Sequence, residues 1–214
     1  MSKTLFFYIG YLSTFSSVFP LYFAFIRRKT LSNELGVLCW LLVISLLTDL
    51  CSLLLSEYEV NNLFLFHLYT VFEYVLLGYI FHLLFKNKKL SLFVLACTLL
   101  LFVFSLLDAT WIHSLREMNT LTVFTESIVM ITYTGIWFYQ FLQRLEFSNP
   151  LSNPMFWFTS AVLFYFSGNL FLFIFSNYVL SEPTNILWTI NHVINILFKL
   201  ILCIAFWKVP AKTI

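Results

Sequence analysis

Seven stretches of about 20 mostly apolar residues, separated by short polar connections, leave this chain few ways to fold. They run over 4–26, 36–56, 61–85, 90–107, 119–143, 155–178 and 185–207. Each has the length that a helix needs to cross a hydrocarbon layer about 30 Å thick. In lipid the backbone polar groups of such a segment must be satisfied within the segment, which selects the helix. The expectation is therefore an all-α polytopic membrane protein: one seven-helix bundle over 1–214, with the lipid bilayer as its first partner. Composition agrees, because 61% of the residues are apolar and only 10% charged, against about 25% charged in soluble domains. A net charge of +2 is too small to argue for nucleic acid as a partner.

The connections carry the polar punctuation. Asn153-Pro154 predicts an N-cap followed by proline in the first turn of the sixth helix, and Pro183 marks the start of the seventh. The longest connection, 108–119, is read as an outside loop. Cys39, Cys51, Cys97 and Cys203 all fall in apolar segments without close spacing. They read as buried thiols, not as a disulfide framework or a zinc site. The first apolar run is too long for a signal-peptide core, and no A-x-A-like site precedes Arg27-Arg28-Lys29, so the first helix is expected to be retained.

Direction follows from the basic residues. Arg27, Arg28, Lys29, Lys86, Lys88, Lys89, Arg144, Lys208 and Lys212 lie on one side; Lys3 and Arg116 lie on the other. The positive-inside rule makes the richer side cytoplasmic, so the N-terminus is expected outside and the C-terminus in the cytoplasm. Trp40, Trp137, Trp157 and Trp207 fall near that cytoplasmic face, as an interfacial belt would.

Four ionisable side chains, Asp49, Glu73, Glu126 and Lys199, sit inside the spans. Each costs about 2.5–3.5 kcal/mol at mid-bilayer on insertion scales, so they should face one another or water. Counted from the outer helix ends, Asp49, His67, Glu126 and His192 all lie about 10 Å deep. Glu73, Asn169, Asn195 and Lys199 lie deeper, at roughly 13–21 Å. Helical phase places Trp188, His192, Asn195 and Lys199 on one stripe; Ser45, Asp49 and Ser52 form another. Tyr165, Asn169 and Ser176 form a third, and Thr122, Glu126 and Tyr133 a fourth. The eight residues Asp49, His67, Glu73, Glu126, Asn169, His192, Asn195 and Lys199 are thus expected to line an outward-facing polar pocket, with Glu73 and Lys199 paired at its floor. The plainer reading is that the histidines and asparagines are interhelical donors and that Lys199 snorkels.

Two histidines and two carboxylates at one depth suggest a metal, but they come from four helices, and no metal or other cofactor is assigned. Seven-helix zinc hydrolases of the alkaline ceramidase and adiponectin-receptor type carry His-x-x-x-His in the seventh helix, whereas His192 is followed four on by Ile196. Lys199 is similar to the retinal lysine of microbial rhodopsins, yet Asn195 stands where those proteins carry Asp. Leu21–Arg28 resembles Trp137–Arg144, an echo of the parallel 3-1-3 repeat of SWEET-type sugar transporters. Biased composition also produces such echoes, and Pro20 has no counterpart in the fifth helix.

The runs at 61–81, 125–142, 164–180 and 188–205 (NNLFLFHLYTVFEYVLLGYIF, TESIVMITYTGIWFYQFL, FYFSGNLFLFIFSNYVL and WTINHVINILFKLILCIA) resemble an uncharacterised group of small seven-helix integral membrane proteins from Bacteroidota. The resemblance implies a bacterial inner-membrane protein and no activity. Three functions fit the pocket. A ligand-sensing protein that relays a signal through a partner ranks first, because the inner half shows little polarity beyond Lys199. A small-solute or proton-coupled transporter is second. An enzyme acting on a lipid or isoprenoid through buried carboxylates is third.

Overall fold

The computed structural model describes residues 3–112, 115, 119–143, 149–179 and 185–211. Pro183, Arg116, Arg144 and Lys212 lie outside the described residues, as do the side chains of Lys3 and Ser176. Every regular element described is helical: α1 (Lys3–Phe15), α2 (Val18–Arg27), α3 (Asn33–Glu57), α4 (Leu63–Leu84), α5 (Lys88–Leu107), α6 (Thr120–Gln143), α7 (Pro154–Val179) and α8 (Asn185–Trp207). Seven stretches are long and apolar enough to cross a membrane: Leu5–Arg27, Asn33–Glu57, Leu63–Leu84, Lys88–Thr110, Thr120–Gln143, Pro154–Leu172 and Leu187–Trp207. These are the segments expected from the sequence, within a few residues at most ends. The apolar side chains left exposed, Phe7, Trp40, Leu99, Leu100 and Phe171 among them, are those a hydrocarbon solvent would cover.

The first span is two helices because Pro20 lacks the N–H that would bond the carbonyl of Ser16, one turn earlier. The chain tightens there instead, with Phe19 N–H donating to Ser16 O at 3.3 Å. Other boundaries follow local chemistry. Asn153 Oδ1 accepts from Met155 N–H at 2.8 Å, so the expected Asn-Pro start of α7 is present. Asn87 does the same for α5 through Lys89 N–H at 2.9 Å. After α3, Val60 N–H closes on Leu55 O at 2.9 Å, which puts Glu59 in the left-handed region at φ 55°. Glycine adopts that conformation without steric cost. Glu59→Gly should therefore raise stability by about 1 kcal/mol, read as a higher melting temperature in detergent.

The chain forms two compact units, Met1–Leu31 with Ser127–Ile214, and Ser32–Glu126. In the first, α8 packs against α1, α2 and α7. Gly168 allows the close approach of α7 to α8, since a Cβ there would sit 2.8 Å from Ile194 Cδ1. In the second, α4 packs against both α3 and α5. The first span thus packs within the unit that holds the sixth and seventh.

Three expectations change. The cysteines are free but not buried: Cys51 is exposed, and Cys39, Cys97 and Cys203 are partly so. A thiol is a small apolar group that an outward-facing membrane position tolerates. Trp137 is not a belt residue, because it is buried and stacks on Phe141 with centroids 4.8 Å apart. The connection after α5 starts later than expected. A π-type turn carries the helix from Asp108 to Ile112, and Asp108 is fully buried.

Candidate functional site

The eight expected pocket residues divide between the units. Asp49, His67, Glu73 and Glu126 belong to the second unit; Asn169, His192, Asn195 and Lys199 belong to the first. None of the eight is exposed.

In the second unit the polar interior is built mainly on α4 and the start of α6. His67, Thr70, Glu73 and Tyr74 are buried and share one face of α4. Asn119, Thr122 and Glu126 repeat that spacing at the head of α6, and all three are buried. Asn119 Nδ2 donates to Thr70 Oγ1 at 2.9 Å. One to two turns further on, Glu126 has Glu73 and Tyr74 as its electrostatic neighbours. The contacts advance along both helices in the same direction, as the third and fifth spans of an alternating topology must. Tyr69 OH donates to Glu73 Oε1 at 3.0 Å, and Thr122 Oγ1 donates to Asp108 Oδ2 at 2.6 Å. Tyr74 OH and Ser105 Oγ are hydrogen-bonded at 3.0 Å. Glu126 differs from these. Its side chain is 0% exposed, and neither carboxyl oxygen accepts a hydrogen bond from a described residue. On α3, Ser45 is buried, Asp49 half-buried, and Ser52 accepts from Asn62 Nδ2 at 2.7 Å.

In the first unit the polar groups gather along α8. Asn191 Nδ2 donates to Asn169 Oδ1 at 3.0 Å, joining α8 to α7. The ring of His192 lies beside Phe6 and faces Gly10, where an added Cβ would meet His192 Nε2 at an ordinary contact distance of 3.6 Å. Lys199 is 1% exposed, so it does not snorkel. Its Nζ donates to the carbonyl of Ser13 at 3.0 Å, and that carbonyl also accepts from Ser16 Oγ at 2.6 Å. Both donors therefore reach the carbonyl just before the break in the first span. Ser13, Thr14, Ser16 and Ser17 are all buried around that break. The expected Glu73–Lys199 pair would join the two units; within its own unit each residue has the partner just named.

Among the described residues no three His, Cys, Asp or Glu side chains converge as metal ligands. The chemistry on offer is a pair of carboxyl groups, Glu73 and Glu126, and an ammonium group fixed on a broken helix. Asp108, Asn119, Thr70 and Ser13 are not among the residues expected from the sequence to form the site. Asn119 and Asp108 lie at the loop ends, where polarity is ordinary. The spacing of Asn119, Thr122 and Glu126 was the available signal. No signal marked Ser13, whose backbone carbonyl matters and not its side chain.

No protein-family model, curated protein or solved structure matches the chain. The helices themselves are those of a multi-pass membrane protein.

Proposed function

We propose that this protein is a membrane carrier for a small polar solute, set in a bacterial inner membrane with its N-terminus outside and its C-terminus in the cytoplasm. One observation carries the reading: the first span is broken at Ser16–Ser17, near its middle, and a buried lysine of the seventh span holds the carbonyl at the break. Secondary transporters build solute sites from discontinuous helices near the bilayer midplane, because irregular backbone is tolerated there only where it is buried in protein or lines a cavity. The buried serines and threonine around Lys199 add polarity at a depth where the sequence shows only the lysine, and this weakens the ground for ranking sensing first. The location in a bacterial inner membrane rests on the resemblance to Bacteroidota proteins, and the direction on the distribution of Lys and Arg.

A second reading, a ligand sensor that relays to a partner protein, is favoured by a different observation. Helix α6 runs through both compact units, which divide it between Glu126 and Ser127. A ligand engaging Glu126 would act on an element common to both.

Accessibility separates the readings without knowledge of the solute. With the four native cysteines replaced by alanine, Ser17→Cys should react with a membrane-impermeant maleimide added from either side of the membrane. Reaction from one side only would support sensing. Protection from both sides would mean a sealed packing site and would count against both.

A further inference from the structure

We propose that Glu126 is the binding site for a small inorganic cation, Na⁺ or H⁺, held between α4 and α6 with Glu73 as the second carboxyl donor. The carboxyl group of Glu126 is wholly withdrawn from the surface, and among the described residues neither of its oxygens accepts a hydrogen bond. A carboxylate in such a place is stabilised only by a cation or by taking up a proton. Its electrostatic neighbours, Glu73 and Tyr74, bring no positive charge. The other titratable groups on these two helices are His67, Tyr69, Tyr79 and His82 on α4 and Tyr133 and Tyr139 on α6, with Asp108 just beyond α5. Thr122 already donates its hydroxyl proton to Asp108.

Size and donor type narrow the class. Tyr74 and Thr122 are as fully closed off as Glu126 itself, which suits a bare ion better than an organic ammonium group. The donors are oxygens: the carboxyls of Glu126 and Glu73, the Tyr69 hydroxyl bonded to Glu73, and the Thr122 hydroxyl one turn before Glu126, and hard oxygen donors select hard cations. A carrier that moves a solute against its gradient needs such an ion, so the inference extends the carrier reading. It does not depend on that reading: binding is measurable in detergent, where nothing is transported.

The test is thermal unfolding of the full chain in detergent, followed by tryptophan fluorescence, with Na⁺ exchanged for choline at constant ionic strength and pH. A sodium site should raise the wild-type melting temperature saturably, by about 5 °C or more at high occupancy, and Glu126→Gln should abolish the rise. A proton site should show no sodium response. It should instead give a similar rise between pH 8 and pH 5, with Glu126→Gln insensitive to pH over that range. Glu73→Gln, which keeps an oxygen to accept from Tyr69, serves as the second variant should Glu126→Gln not fold. It should weaken the half-saturating sodium concentration at least tenfold, or remove most of the acid response. If the wild type and Glu126→Gln respond alike to sodium and to pH, or if Glu73→Gln alters neither response, the proposal is overturned.

Discussion

Gly78→Leu should be among the most damaging single changes in the second unit, lowering stability by about 3 kcal/mol or more. Gly78 lies on the buried face of α4 where α5 comes closest. Even a single Cβ there would overlap Thr98 Oγ1, with Thr98 Cγ2 3.2 Å away. Thr98 has little freedom to withdraw, because its hydroxyl donates to Val94 O at 2.9 Å within its own helix. The helices must part, and the polar contacts they position part with them. Gly78→Ala should cost less, and Thr98→Ala in the same chain should recover most of that smaller loss, since the two residues share one contact. Gly135 is the control. Nothing lies within 4 Å of a Cβ built there, so Gly135→Ala should be neutral or stabilising by up to about 1 kcal/mol from helix propensity alone. Equal losses at Gly78 and Gly135 would mean that the approach of α4 to α5 is not what Gly78 provides.

Lys199→Ala should rank beside it, at about 3 kcal/mol. The change removes a charge-assisted hydrogen bond to the Ser13 carbonyl and leaves a cavity where the buried stem of the side chain had been. Lys199→Met keeps most of the stem and removes the charge along with its desolvation cost, so it should lose less than half as much. Pro20→Ala provides the link to the break. An alanine restores the N–H that the helix needs for the Ser16 carbonyl, so Lys199→Ala with Pro20→Ala should be more stable than the sum of the two single changes predicts. Simple additivity in thermal denaturation would show that Lys199 does not stabilise the break.

The spans were legible because lipid leaves so little choice: an apolar run of the right length must be a helix, and its ends fall where polar residues resume. Boundary chemistry was legible at Asn153-Pro154, where side chain and ring act locally. Which residues are polar and buried was also readable, since Glu126, Glu73 and Lys199 have nowhere cheap to go. Their partners were not. Depth counting sets Glu73 and Lys199 nearly level, but a depth does not say which hydroxyl or carbonyl each side chain meets, here Tyr69 OH and the Ser13 carbonyl. The partner that Lys199 has in its own unit is the main-chain carbonyl of Ser13, and one carbonyl looks like any other in a sequence. Asp108 was missed for a related reason. Its polarity reads as the start of a loop, and only the continuation of the helix through a π-type turn brings it inward to Thr122.

Seven segments are long and apolar enough to cross a membrane, and if all seven do so the two ends of the chain lie on opposite sides with the polar residues between them. Reporter fusions test that directly, with one reporter after Ile214 and another inserted in the 57–61 connection. The account predicts a cytoplasmic reporter after Ile214 and an external one at 57–61. Both reporters on the same side would contradict it, because an odd number of crossings must then be missing between them.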